Sequence, residues 1–539
     1  MFTRRDLLAY FLGAPAALSA CRNDAERPVD ARILGAASDR GHRLRDLTQL
    51  PEVRSDRIEK RKVVVVGAGP SGLAAAWFLH RSGVTDLLIL DAEPRPGGTS
   101  AWGETGVSRH PYGAHYLPLP LKENTALISL LKEMNALDGV DAQGDPQGAE
   151  HLLVRDPEER LFMHGYWQQG LLPRPGATAE DLRQIQAFHQ RVGAMAAIRD
   201  GKGRRAFTLP LRMGSDDAEL TALDKITFKD WLTREGFTSK RVLWMADYAC
   251  RDDHGALAEH TSAWVGLFYF CSRWRAGGDE SAPFLTWPEG NGKLVQHLMK
   301  PVADRVRLNT VVVDVNPTEA GVEVLAMDDQ GPRKILADHV VLATPKPLTA
   351  RMVRPWREHP PEHLAAFRFG SWLVANLHLS SRPRNRGFEV AWDNVIYGSP
   401  SLGYVVATHQ RGPDAGPTVW TWYLPITDPD VKVARQRLLA MTAQEAAEVV
   451  LEDLGRAHAD LRQRVDHIDI IKHGHAMVRP EPGFMWGPHR RKAAEPLGAI
   501  HFAHCDLSGL PLFEEAFDQG LRAAREVLTV LQIPPVEPA

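Results

Sequence analysis

An α/β fold, with a Rossmann-like dinucleotide-binding domain interleaved with an α+β substrate domain, is predicted by three features of the 539-residue sequence. The first is the run Val63-Val64-Val65-Val66, followed at once by Gly67-Ala68-Gly69-Pro70-Ser71-Gly72 and an Ala- and Leu-rich stretch. A continuous β-branched run suits a parallel strand buried on both faces, and the glycines open the helix that follows. The second is a further apolar run at residues 87–90, ending in Asp91, which completes a βαβ unit. The third is the return of short strand patterns at residues 306–345 and of a strand–loop–helix pattern at 498–528, so that segments far apart in the chain share one sheet.

Before the first strand, Arg4-Arg5 precedes an apolar stretch at residues 7–20 that is too short to span a bilayer comfortably. Leu18-Ser19-Ala20-Cys21 resembles the lipobox of bacterial lipoproteins, so residues 1–21 read as a twin-arginine lipoprotein signal, with Asp6-Leu7 departing from the usual pattern. This predicts an exported, periplasmic or cell-envelope protein, held at the membrane through a lipidated Cys21. Residues 22–60 are charged and punctuated by proline and read as a tether. The length favours two domains. Residues 61–120, 285–346 and 473–533 are expected to form the dinucleotide domain, and residues 121–284 and 347–472 the substrate domain. Within the latter, Thr227-x-x-Asp230 predicts a helix-capping box.

A net charge of −3 without a long Lys/Arg run argues against a nucleic-acid partner and for a small-molecule substrate. The four cysteines show neither a disulfide framework nor a zinc spacing, and His473 and His475 share a strand face without a third ligand, so no metal is expected. Asp252-Asp253-His254 reads as a polar loop. Trp264, Trp274, Trp372, Trp420 and Trp422 suit either a large apolar pocket or the core.

The glycines have separate tasks. Gly67 makes the tight turn, Gly69 lets the backbone approach a pyrophosphate, and Gly72 lets helix and strand pack closely. Ala68, Pro70 and Ser71 complete the loop, whose N–H groups and helix dipole face the phosphates. Asp91, followed by Ala92, accepts hydrogen bonds from ribose hydroxyls and repels a 2′-phosphate, which disfavours NADP. Arg95-Pro96-Gly97-Gly98-Thr99-Ser100 adds a second glycine pair soon after the ribose acid, which favours FAD over NAD.

The run VVVVGAGPSGLAAAWFLHRSG…LLILDAEPRPGGTS resembles the opening of the flavin-containing amine oxidase superfamily, which also holds carotenoid-type desaturases and protoporphyrinogen oxidase. The resemblance continues at Tyr112-Gly113-Ala114-His115-Tyr116, at Trp287-Pro288-Glu289-Gly290-Asn291-Gly292, and in HFAHCDLSGLPLFEEAFDQGLRAAREVL. It implies that Gly67, Gly69, Gly72 and Asp91 bind the ADP half, and that the Val312 backbone meets adenine. It places Arg95, Gly97 and Gly98 along the flavin, Thr99 beside them, and Asp506 near the pyrophosphate and ribityl chain. Phe513 to Ala516 would begin a helix under the isoalloxazine, where its dipole raises the redox potential. Thr99 and Glu93 stand where the family commonly has arginine. No lysine lies between Lys346 and Lys432, the stretch holding the strand on which amine-oxidising members carry one near flavin N5. Met477 and Leu512 stand where those members place two aromatics, and no cysteine lies nearby, so FAD is expected to be non-covalent.

His475, as a base, and Arg479, as an anion clamp, are the catalytic candidates, with Trp486, Arg109, His110 and His115 as further pocket residues. Glu514 and Glu515 open that last helix beside the flavin, with the charged first turn of a surface helix as the alternative reading of their side chains. Three functions fit: an amine oxidase-like FAD oxidoreductase taking hydride from a C–N or C–C bond, a desaturase- or isomerase-like flavoprotein acting on a lipophilic substrate, or a non-catalytic flavin-bound sensor or scaffold. Oxygen or a membrane quinone or other electron carrier would reoxidise the flavin.

Overall fold

The computed structural model describes residues 28–34, 41, 44, 49–275, 283–412 and 415–538. The signal read at residues 1–21 lies outside them. Along the chain come β1 (Asp30–Leu34), β2 (Ile58–Val66), α1 (Pro70–Arg81), β3 (Leu87–Leu90), β4 (Glu159–Met163) and β5 (Tyr166–Gln169). Next are α2 (Phe228–Arg234), α3 (Lys240–His254), α4 (Ala263–Cys271), β6 (Val306–Arg307), β7 (Val311–Thr318), β8 (Gly321–Asp328) and β9 (Gly331–Leu342). The rest runs β10 (Phe369–Leu379), β11 (Asp393–Ile396), β12 (Gly403–Val406), β13 (Thr418–Ile426), α5 (Val431–Ala440), α6 (Ala443–Gly455), β14 (Val465–Val478), β15 (Ile500–Phe502) and α7 (Phe513–Val530).

One sheet has the order β6-β3-β2-β9-β8-β7, with β15 also beside β9. Its centre is parallel: Val64 lies between Leu88 of β3 and Val340 of β9, and Val340 lies opposite Ile500 of β15. Val63, Val64 and Val65 are wholly buried, each worth about 1.5–3 kcal/mol on the usual scale of apolar burial. β9 is long because it pairs in parallel with β2 from Lys334 to Leu342, while its other edge takes antiparallel β8 in the first half and parallel β15 at the end. Helix α7 packs on α1 so closely that a Cβ at Gly520 would strike the Ser71 carbonyl oxygen.

The second sheet has the order β1-β14-β10-β13-β12-β11-β4-β5. One face carries Trp420, Trp422, Leu373 and Ile470 into a core shared with α6; the other carries Trp372, Tyr423 and Ile471 against Tyr112 and against Tyr248 of α3. The Thr227 capping box forms at the start of α2 as the spacing predicts.

Two boundaries differ from those read in the sequence. Asp30–Leu34, inside the expected tether, pairs in parallel with β14 along its whole length, Asp30 opposite His467 and Leu34 opposite Ile471. Residues 473–478, assigned to the dinucleotide domain, finish β14 and belong to the second sheet. A five-residue strand between charged loops carries too little periodicity to be read alone, and its parallel partner lies at the other end of the chain.

Candidate active site

The cradle forms where β2, β3, β9 and β15 end. Gly67 turns with φ 105°, and a Cβ there would overlap the Ala343 carbonyl. A Cβ at Gly72 would overlap the Gly67 carbonyl, whereas one at Gly69 would meet nothing within 4 Å. Two glycines thus serve packing and the third serves space. Pro70 starts α1, no side chain caps the helix, and Ser71 Oγ in its first turn is buried without a partner. Free N–H groups at a dipole's positive end, an orphan hydroxyl and an open glycine suit a phosphate.

Asp91 accepts hydrogen bonds from the N–H groups of Ala68 (2.6 Å) and Glu93 (2.8 Å), and burial pushes its pKa up to about 6. Ala92 follows it, half-buried. The Gly97 N–H donates to the Ala68 carbonyl at 2.8 Å, and a Cβ on Gly98 would lie 3.6 Å from Gly69 Cα, so the two glycine loops lie against each other. Gly98, Thr99 and Arg95 are exposed, Arg95 donating to the Trp102 carbonyl at 3.3 Å. Asp506 accepts from the Lys346 N–H at 3.0 Å and pairs with His504 Nδ1 at 2.9 Å. Val312 lies opposite Ala326 of β8, just beyond Thr310, whose N–H donates to the Asp91 carbonyl. Phe513 and Ala516 are buried in the first turn of α7. These residues fit a dinucleotide.

Beside the cradle lies a chamber that the sequence did not announce. The Ala114 N–H donates to the Thr99 carbonyl at 3.0 Å, and the Tyr423 hydroxyl of β13 donates to the Gly113 carbonyl at 2.9 Å, tying the second glycine loop to the second sheet. His115 stacks on Tyr423, with ring centroids 5.0 Å apart, and lies 5.4 Å from Trp392; burial keeps it neutral, its pKa pushed down to about 4. Around these rings stand Glu159 of β4, Asp252 of α3 and Asp393 of β11. All three keep accessible surface although protein encloses them.

Glu159 and Asp393 face each other across the β4–β11 ladder. Tyr269 donates to Asp252 at 3.3 Å, and Tyr248 hydrogen-bonds Asp393. Burial, reinforced by the neighbouring acids, raises Glu159 to about 7, Asp252 to about 7 and Asp393 well above the ordinary carboxylate range. Arg273, whose two hydrogen bonds at 3.0 Å go to Asp253, offsets the Asp252 shift only in part, as does Arg251. Glu514 closes the chamber from the start of α7, near Tyr116 and Arg273, and burial lifts it to about 7.

Several expectations change here. Asp252-Asp253-His254 is the last turn of α3, with Asp253 and His254 buried, stopped by Gly255 at φ 60°, and not a loop. Glu514 and Glu515 are buried rather than surface charges, Glu515 accepting from the Leu211 N–H at 2.5 Å. Met477 packs against a cluster that also holds Trp372, Trp392 and Tyr423, whereas Leu512 packs against another core.

His475 is engaged by Arg435 of α5 at 2.8 Å, and Arg479 donates to the Asp428 carbonyl at 2.7 Å and to the Ile426 carbonyl. Neither is brought to the acids. Arg109 pairs with Glu289 at 3.3 Å, and Trp486 packs on Trp264 in the core. Glu159 and Asp393 had no local signal, since each is a single acid in a short strand whose partner is remote in the chain.

The model of the family described as flavin containing amine oxidoreductase matches residues 70–528. Over 73 residues the chain is 38% identical to monomeric sarcosine oxidase from Bacillus sp. (strain NS-129), a match covering 13% of this chain and 19% of that protein. The chain thus spans about a fifth of the length of the curated relatives it matches. Wild-type putrescine oxidase bound to putrescine superposes with a TM-score of 0.64 at 20% identity, covering 88% of this chain and 100% of that one. A fatty acid isomerase from P. acnes, described as CLA-producing, superposes with a TM-score of 0.59 at 16% identity over 89% of this chain and 99% of its own. At such identities the likeness is one of fold, and the family match supplies the rest: the chain belongs to the flavin-containing amine oxidoreductases.

Proposed function

We propose that this protein is an FAD-dependent oxidoreductase, amine oxidase-like, that takes a hydride from a C–N bond of a small amine carrying a second, cationic nitrogen. The observation that supports it is the set Glu159, Asp252 and Asp393, three enclosed acids among tyrosines and tryptophans, opening beside the second glycine loop. Crowded acids that Arg273 and Arg251 offset only in part hold protons, and an ammonium placed among them lets them ionise. Aromatic faces add about 0.5–2 kcal/mol of cation–π attraction in a desolvated site. An apolar chain would leave the same carboxyls buried and unmatched, which favours C–N over C–C chemistry.

When bound, FAD supplies the hydride acceptor. The chain's own residues bind and orient. Asp252, Asp393 and Glu159 hold the distal ammonium, and Tyr248 and Tyr269 fix two of those carboxyls. The stacked His115 and Tyr423 form the wall between the chamber and the loop at Gly113, exclude water and keep the reacting carbon in line with the cradle. Gly67 to Gly72 and Asp91 hold the pyrophosphate and ribose. No cysteine lies near Met477 to Gly483, so FAD is taken as non-covalent.

Export through the signal at residues 1–21, with lipid at Cys21, belongs to the same proposal. It is supported by Arg4-Arg5, and by the need of a folded flavoprotein for a route that carries folded proteins. Oxygen or a membrane quinone would then be the acceptor. The reading is tested by the visible spectrum of the purified protein, followed by anaerobic addition of monoamines, diamines and unsaturated fatty acids. Flavin bands that bleach with amines are expected; bleaching by the fatty acids alone, or no flavin after incubation with FAD, overturns it.

A further inference from the structure

Outside the chamber, the far end of the second sheet gathers His110, His378 and Asp469. Each offers one ligand atom, and these atoms lie within 4.8 Å of one another. All three residues are buried. His378 of β10 and Asp469 of β14 come from adjacent antiparallel strands, and His110 reaches them from the short strand Arg109–Pro111, beyond the sheet.

The donor geometry suits a cation. His378 Nε2 lies 3.1 Å from Asp469 Oδ2, close to the edge of a tetrahedron with metal–ligand bonds of about 2.0–2.2 Å. The other oxygen, Oδ1, accepts from Arg32 Nε at 2.5 Å, the kind of outer partner that orients a ligating carboxylate. His110 Nδ1 lies 3.4 Å from the Ser108 carbonyl, which leaves Nε2 as the free lone pair, and Nε2 is buried without any partner. The ring sits over Gly103, where a Cβ would overlap Nε2, so the room around that nitrogen exists only because the residue is glycine. His467 stacks on His378 with centroids 4.0 Å apart, fixing the ring plane, and its own Nε2 is also an orphan.

We infer that His110, His378 and Asp469 form a binding site for a divalent transition-metal ion of the zinc class, with an open fourth position. Two imidazoles and one carboxylate, supported by an outer arginine, are ligands of that class rather than of calcium or magnesium. The ion would pin the segment around His110 to the sheet. That segment runs on through Tyr112, whose carbonyl meets His473 Nε2 at 3.0 Å, to Gly113 at the chamber wall. The role is structural support of the wall, apart from the hydride chemistry, and the site stands whether or not the amine reading does.

The test uses the full flavin-loaded protein, free of any histidine tag and stripped with a chelator, titrated with Co(II) and then Zn(II). Visible d–d absorption with one equivalent of Co(II), displaced by one equivalent of Zn(II), is expected. His110→Gln should weaken Zn(II) binding at least about 100-fold, the upper range for loss of a supporting partner, while the flavin spectrum shows that the variant is folded. His378→Gln should do the same. Cys505→Ser, in the second group of three potential ligands, His504, Cys505 and Asp506, should leave binding unchanged. Absence of the Co(II) bands, or their loss in Cys505→Ser rather than in His110→Gln, overturns the inference.

Discussion

Replacing Asp252 by asparagine removes a charge but keeps the shape and the Tyr269 contact, so the fold should persist while affinity for a dication falls. An increase of about 10- to 100-fold in KM for diamines is expected, about 1.4–2.7 kcal/mol, with a smaller change for monoamines. Asp393→Asn should behave alike; steady-state kinetics on both amine classes checks it. The acids also set a pH dependence. Below about 7 Glu159 and Asp252 carry protons, and above it they ionise, so KM for a diamine should fall as pH rises through about 7. At this scale the sequence was readable where a residue acts through backbone geometry, as Gly67, Gly69, Gly72 and Asp91 do. It was unreadable where side chains meet only in space. Asp252 looked like a loop residue because its helix is recognisable only from its buried face, and Asp393 has no local mark at all.

Glycine substitutions separate packing from binding at the level of elements. Gly72→Ala places a Cβ on the Gly67 carbonyl and Gly520→Ala places one on the Ser71 carbonyl, so each should force β2, α1 and α7 apart and cost about 1–3 kcal/mol, as overpacking does. Gly69→Ala meets no protein atom within 4 Å. It should leave the flavin-free protein as stable as the parent and yet weaken FAD retention, a contrast that thermal melting with and without added FAD reveals. The βαβ unit was legible because strand, glycine turn and helix are contiguous. β1 was not: only its pairing with β14 makes it a strand. The end of β14 was misassigned for a related reason, since the strand runs unbroken from Val465 to Val478 with no local mark at residue 473.

Considered as a whole molecule, the protein stores unfavourable charge that ligands relieve. Carboxyls whose pKa values are raised in the fold keep protons that the unfolded chain releases near pH 4, so unfolding releases protons between about 4 and about 7. Stability is fullest below about 4 as far as these groups are concerned, and declines as pH rises to about 7. A diamine should recover part of it, raising Tm more at pH 8 than at pH 5; a shift of equal size at both values would count against ionised acids as the binding groups. FAD at about 100 times its Kd should add about 2.7 kcal/mol through the cradle alone. The α/β class was legible because the βαβ unit and the later strand patterns at residues 306–345 and 498–528 are contiguous runs. The chamber was not, because its acids come from β4, α3 and β11, which are remote in the chain and meet only in space. Its central claim, that buried acids select a cationic amine for oxidation, is tested most directly by stopped-flow bleaching of the bound flavin without oxygen. A diamine should bleach the flavin at lower concentration than a monoamine of equal length, and Asp252→Asn should erase that preference; equal response to both amines in the parent protein, or an unchanged preference in the variant, would contradict it.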